Sequence, residues 1–175
     1  MARGRFAPQA PVYTFRVRIL GGFYAPPNGP EITRDIEVAA NQTLADLGQA
    51  IPDAYDFNDP HLWSFFLSGK PWDDATAYPL VDDSGGMFDV TPAGKATQTL
   101  IRDVPYPGRK GDKEFLFLFD FGDEWHFGVR MLGTNDEPIP GVSYPRVVAR
   151  QGEAPPQYPD VDDDDWDDEE DDEAE

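Results

Sequence analysis

The sequence predicts an α+β fold built as one domain, and three observations predict it. Two alternating strand patterns open the chain, at residues 12–20 and 32–38, separated by a loop rich in Pro and Gly. A segment of helical spacing follows them directly. Later, the unbroken apolar run Phe115 to Phe119 calls for a strand covered on both faces, and it reverses tightly into a second strand. A chain of 175 residues suits one domain with a sizeable core. We expect that domain over residues 12–159, with a mixed β-sheet and a β-grasp-like start, hairpin then helix. Residues 1–11 are expected to be a disordered N-terminus and residues 160–175 a disordered acidic tail.

In the first strand Tyr13, Phe15, Val17 and Ile19 alternate with Thr14, Arg16 and Arg18. Gly21-Gly22 and then Pro26-Pro27-Asn28-Gly29-Pro30 break it into a loop. In the returning arm Ile32, Ile36 and Val38 are apolar, and Arg34, Asp35 and Glu37 are polar. Asn41 reads as a helix N-cap, with Leu44, Leu47, Ala50 and Ile51 as the buried stripe and Pro52 as the stop. Residues 61–67, HLWSFFL, predict a third strand behind a turn that contains Asp56, Asn58, Asp59 and Pro60.

Residues 69–96 form a long excursion packed on the domain, because linkers seldom carry aromatics such as Trp72, Tyr78 and Phe88. Residues 97–104 suit one helical turn or a short strand. The central hairpin fills residues 114–132. Its turn is Asp120-Phe121-Gly122-Asp123, where Gly122 is expected to supply the φ freedom. Trp125, Phe127, Val129 and Met131 then share one face, and His126, Gly128 and Arg130 the other. Residues 142–150 read as an edge strand, and residues 152–159, GEAPPQYP, as an extended segment docked on the sheet or, alternatively, a peptide ligand for a partner.

The absence of cysteine excludes a disulfide framework, a thiolate metal site and a Cys nucleophile. Residues 1–11 lack the apolar core of a secretory signal, and no apolar run reaches the roughly 18–20 residues of a membrane span. A cytoplasmic protein with no membrane contact is expected. Residues 160–175 carry 13 of the 34 acidic residues and no Lys or Arg, so they supply −13 of the formal −20. Such a segment, with Trp166 as its one aromatic, cannot bury enough apolar surface to fold. It reads as a solubilising tail, or as a nucleic-acid mimic or lure for a basic partner with Trp166 as anchor. An acidic domain with an acidic tail repels phosphate, so direct nucleic-acid binding is not expected.

Several short motifs follow one another across residues 12–159. They are Tyr13-Thr14-Phe15-Arg16-Val17, Ile32-Thr33-Arg34-Asp35-Ile36-Glu37-Val38 and Thr43-Leu44-Ala45-Asp46-Leu47. An H-L-x-x-F follows at His61 to Phe65, a D-F-G-D-x-W at Asp120 to Trp125, and a G-x-x-P-P at Gly152 to Pro156. In this order they resemble the plasmid pRiA4b ORF-3-like family, also labelled the passenger TnpR family of insertion elements. The resemblance implies a compact α+β domain that serves as an uncharacterised accessory protein of plasmids or other mobile elements. Many members place a His two residues after the Trp, where this chain has Phe127 and carries His126 one position earlier. Many also have a Cys in the closing segment, and this chain has none. Both departures argue against a shared Cys/His metal site. No serine- or tyrosine-recombinase motif accompanies the resolvase-flavoured label.

Asp120-Phe121-Gly122 spells a kinase magnesium motif, but no glycine-rich phosphate loop, V-A-I-K-like strand or H-R-D loop accompanies it. Walker, G-x-S-x-G, H-E-x-x-H and dinucleotide fingerprints are likewise missing. The candidate binding residues are Asp120, Asp123, Glu124, Trp125 and His126 at the hairpin tip, with His61 and Arg34. Crowded carboxylates repel, and a divalent cation would relieve that. Asp120, Asp123, His126 and His61 are therefore the candidate ligands for Mg²⁺, Mn²⁺ or Zn²⁺. The competing reading makes Asp120 and Gly122 turn formers, Glu124 a solvated carboxylate, Trp125 a core residue and His61 a hydrogen-bonded turn residue. Arg16, Arg18 and Arg34 are read as lining one face of the first hairpin, either solvated or binding an anion. The leading reading is a non-catalytic, protein-binding module with no required cofactor. The alternative is a metal-dependent hydrolase or nuclease-like enzyme centred on residues 120–126.

Overall fold

The computed structural model describes residues 10–81 and 91–159. The expectations for residues 1–9, for Phe88 and for the acidic tail 160–175 lie outside the described residues. The elements are β1 (Val12–Gly21), β2 (Thr33–Ala39), α1 (Leu44–Ala54), β3 (Trp63–Phe66), β4 (Ala77–Pro79), β5 (Phe115–Phe119), β6 (Trp125–Asn135) and β7 (Arg146–Gln151). The strands form one sheet in the order β4-β3-β5-β6-β1-β2-β7.

Every ladder in that sheet is antiparallel, so the expected mixed sheet is corrected for the described strands. The expected hairpin and helix are present. The parallel neighbour that a β-grasp sheet gives its first strand is not among the described strands, because β1 lies between β2 and the antiparallel β6. The helix α1 carries the chain from β2 to β3. By alternation along the sheet those two strands run in the same direction, but β1, β6 and β5 separate them, so the crossover creates no parallel pair.

One face of the sheet carries the main core. Phe15, Val17, Ile36, Val38, Phe115, Phe117, Phe119, Trp125, Phe127 and Val129 pack there with Leu44, Leu47 and Ile51 of α1. The helix is capped by Thr43 rather than Asn41. The Thr43 side chain accepts the Asp46 N–H at 3.3 Å, and the Asp46 carboxylate accepts the Thr43 N–H at 2.7 Å. This reciprocal box satisfies two orphan donors, which a lone Asn at 41 would not. Pro52 sits inside the last turn, and α1 runs on to Ala54. Gly48 lets the helix close on β3, because a Cβ there would stand 2.3 Å from the Trp63 ring.

The other face carries a smaller cluster, Phe66, Ala77, Leu116 and Leu118 with Phe121, and a ladder of charge. Arg16 grips Asp35 through two bonds of 2.8 Å, Arg146 meets Glu37 at 2.8 Å, and Arg18 grips Glu114 at 2.7 and 2.8 Å. Glu114 reaches Arg18 across Gly128, where a Cβ would stand 2.3 Å from the carboxylate.

Phe115 to Phe119 is buried at all five positions, as the apolar run demands. β3 is shorter than the expected strand, which leaves His61 and Leu62 in the loop before it. Residues 97–104 contain a short 3₁₀ turn, Ile101–Asp103. β7 is the edge strand, as expected. At the opposite edge β4 is covered by residues 94–96, whose Gly94 and Ala96 N–H groups donate to Ala77 and Pro79 at 3.3 and 3.1 Å. No described helix is long and apolar enough to cross a membrane.

Candidate functional site

The tip of the β5–β6 hairpin is organised by Asp120. Its Oδ1 accepts the N–H groups of Gly122 at 3.0 Å and Asp123 at 3.3 Å, and its carbonyl accepts Glu124 N–H at 2.7 Å. The left-handed positions in this turn are Asp120, at φ 59°, and Glu124, at φ 49°. Gly122 is not one of them, which corrects the expectation for that glycine. A short carboxylate that hydrogen-bonds its own turn makes αL tolerable without glycine.

That backbone twist breaks the strand alternation at Asp120 and turns its side chain toward His61. Asp120 Oδ2 lies 3.3 Å from His61 Nε2, and the Asp120 N–H donates to the Leu62 carbonyl at 3.0 Å. The imidazole sits edge-on to Phe119, 5.8 Å between centroids, on the helix-bearing face. The same Nε2 lies 2.6 Å from the Tyr158 hydroxyl. Tyr158 is delivered by its neighbour Gln157, whose side chain accepts from the Asp59 N–H and donates to the Asp59 carbonyl, both at 3.0 Å. Burial raises the Tyr158 phenol above its ordinary pKa, and the carboxylates of Asp120, Asp59 and Asp123 raise it further.

Carboxylate and phenol thus meet one nitrogen of His61. A base-orienting relay places its carboxylate and its reacting oxygen on opposite ring nitrogens. The present arrangement is a latch, tying the loop before β3 to the hairpin tip and to the closing segment. The tip is also tied to the β1–β2 loop, since Phe23 N–H donates to the Asp123 carbonyl at 2.8 Å.

The remaining candidates are dispersed. Glu124 accepts the Trp72 indole N–H at 3.0 Å, so it holds the 69–81 excursion rather than standing free in water. Trp125 is core, 4.7 Å from the Phe57 ring, and its own indole N–H has no hydrogen-bond partner among the described residues. His126 pairs in register with Leu118 and shares its face of the sheet, away from His61. Among the described residues, no group of three or more His, Cys, Asp or Glu is placed to hold a metal ion, so Asp120, Asp123, His126 and His61 do not form the expected ligand set.

Arg34 is corrected too. Its register partner is Val17, not Arg16 or Arg18, so it faces the core, and it is buried. There it donates to the carbonyls of Ala54, Thr33, Gln151 and Gly152 at 2.7–3.2 Å and stacks 4.8 Å over Tyr55. Arg16 and Arg18, read as possible anion ligands, are already gripped by Asp35 and Glu114, whose hydrogen bonds raise both guanidinium pKa values further.

The structure adds residues that the sequence did not single out. Phe23 and Tyr24 meet edge to face at 4.8 Å, and Tyr24 meets Tyr158 at 6.1 Å, forming an aromatic ledge that continues to His61. Beside His61 a cleft of about 170 Å³ opens between α1 and the loop before β3, lined among others by Asp53, Phe57, Asp59, Trp63 and Phe119. Two aromatics in the Gly-Pro loop and the Gln157-Tyr158 pair after Pro155-Pro156 were the visible signals. Neither says which surface it will join.

A family model described as plasmid pRiA4b ORF-3-like protein matches residues 26–163. Among solved structures, the crystal structure of a protein of unknown function, MM3350 from Methanosarcina mazei Go1, is similar. It is 27% identical, with a TM-score of 0.62, and the similarity covers 84% of this chain and 72% of that one. No curated protein matches the chain. The matched span takes in β2 through β7, the Asp120 turn, His61 and the Gln157-Tyr158 segment that latches onto them, and on that span the chain belongs to the plasmid pRiA4b ORF-3-like protein family.

Proposed function

We propose that the protein is a non-catalytic binding module that contacts a protein partner at the end of the sheet carrying the hairpin tip. The observation that carries this reading is the aromatic ledge. Phe23 is 77% exposed and Tyr158 38% exposed, with Leu62, itself 44% exposed, next to His61. Burying one such side chain is worth about 1.5–3 kcal/mol, and fixed, exposed aromatics are characteristic anchors of protein interfaces. The latch through His61, Asp120 and Gln157 holds Tyr158 in place before any partner arrives, so little ordering is left to the binding step.

The test is photocrosslinking from the full chain with a benzophenone amino acid placed at position 23 or, as a control, at Leu132 on β6, which is 43% exposed. The expected result is a discrete protein adduct from position 23 that excess unmodified protein competes away, with none from position 132. Identical adducts from both positions, or none from either, remove the reading.

A further inference from the structure

We propose that the cleft beside His61 receives one cationic side chain, Arg or Lys, from the partner protein; this inference rests on the binding reading above and names the chemistry of its ligand. At about 170 Å³ the cleft is smaller than the ~300–1,000 Å³ of small-molecule pockets and suits a single long side chain. Its lining is apolar along Phe57, Trp63, Leu80 and Phe119, while Asp53 and Asp59 supply its carboxylates. An apolar slot with acidic groups matches the apolar stem and charged head that Lys and Arg share. The aromatic side chains contribute only their edges to the slot, since Phe57, Trp63 and Phe119 are buried in the core, and they form the apolar wall along which the stem of Lys or Arg would lie.

Charge complementarity supports the choice of occupant. Neither Asp53 nor Asp59 has an ion-pair partner among the described residues. Asp120 adds a further carboxylate beside His61, and burial first, then Asp120, Asp59 and Asp123, raise the Tyr158 phenol above its ordinary pKa. The site is also held in shape. Gln157 fixes the Asp59 backbone through two bonds of 3.0 Å, and the Gln49 side chain donates to Asp53 at 3.3 Å. A carboxylate on the partner would be repelled here, and a neutral polar group could accept or donate hydrogen bonds but would leave the two carboxylate charges unpaired.

The test uses the full chain, an Arg-Ser repeat peptide and the same peptide with citrulline in place of every Arg, which keeps the shape and removes the charge. The readout is the indole N–H resonances of the protein's Trp residues, because Trp63 lines the cleft and Trp166 lies in the acidic tail. The expected result is a saturable shift of the Trp63 signal with the Arg peptide, none with the citrulline peptide, and about tenfold weaker binding by the Asp53→Asn, Asp59→Asn variant. Phe57→Leu, which keeps the carboxylates, should weaken binding as well. A shift confined to Trp166 overturns the proposal, since the peptide then sits on the tail alone. An equal Trp63 response to both peptides overturns the cationic ligand while leaving the binding reading in place. Failure of crosslinking at position 23 removes that reading itself.

Discussion

Arg34 shows how one residue can be misassigned by its chemistry. Arg34 has no carboxylate partner among the described residues, and such a guanidinium is normally solvated, yet here it is buried, bonded to four carbonyls and stacked on Tyr55. One of those carbonyls belongs to Ala54, the last residue of α1, which Arg150 also meets at 2.8 Å. Two cations therefore sit at the negative end of the helix dipole. Replacing Arg34 by Met should lower stability by about 2–4 kcal/mol in urea unfolding, because buried acceptors lose a charged donor. A loss near zero would mean that the side chain is solvated after all. Gly48 makes a sharper case. In an exposed helix Gly→Ala stabilises by about 1 kcal/mol. Here the new methyl would stand 2.3 Å from the Trp63 ring, so Gly48→Ala should instead destabilise, by about 1–3 kcal/mol. Gly128→Ala faces the movable end of Glu114, and should mainly displace that carboxylate from Arg18.

At the scale of elements, the β5–β6 hairpin is the centre of the sheet and of the site. β5 lies between β3 and β6, and both its faces are covered, one by the main core and the other by the Leu116–Leu118 cluster. Phe117→Ala should cost about 3–5 kcal/mol, and a loss below roughly 1 kcal/mol would contradict its burial. The tip makes a separate prediction. Asp120→Ala removes two backbone caps and the contact with His61, and leaves a left-handed Ala. Asp120→Gly removes the same bonds but relieves the backbone. Glycine at 120 should therefore be the more stable variant of the two by about 1 kcal/mol in thermal unfolding. If alanine were the more stable, the positive φ would not be a constraint.

For the whole molecule, the buried tyrosines set an alkaline limit. Burial raises the Tyr55 phenol well above its ordinary value of 10.0, and it raises Tyr106 as well. Unfolding exposes these phenols and restores the ordinary value, so above pH 10.0 the unfolded chain releases protons that the folded chain keeps. Stability is therefore fully present below that pH and falls as the pH rises toward the raised folded values. Each such tyrosine contributes a slope of about 1.4 kcal/mol per pH unit. Tyr55→Phe should be less stable than wild type near neutrality, since the single hydroxyl proton is shared between the carbonyls of Val17 and Ile32, 2.9 and 3.2 Å away. Between about pH 10 and about pH 11 it should lose stability more slowly than wild type. Urea midpoints across that range decide it, and parallel pH profiles for the two proteins would contradict the burial argument.

What the sequence by itself determined was local in origin. Period-2 alternation marked both arms of the first hairpin. The five-residue apolar run required a doubly covered β5, and the order of motifs identified the family. Each of these follows from residues close together in the chain, where side-chain direction is set by the strand or helix period. The tertiary structure decided what depends on residues far apart. Sheet direction turned on β1, β6 and β5 standing between β2 and β3. Arg34 faces the core because its register opposes Val17, and His126 parts from His61 because the two lie on opposite faces. The site followed the same rule: Tyr158 reaches His61 from 97 positions away and Gln157 reaches Asp59 from 98. Pairing across such distances depends on how the whole sheet closes, and no period in the sequence records it.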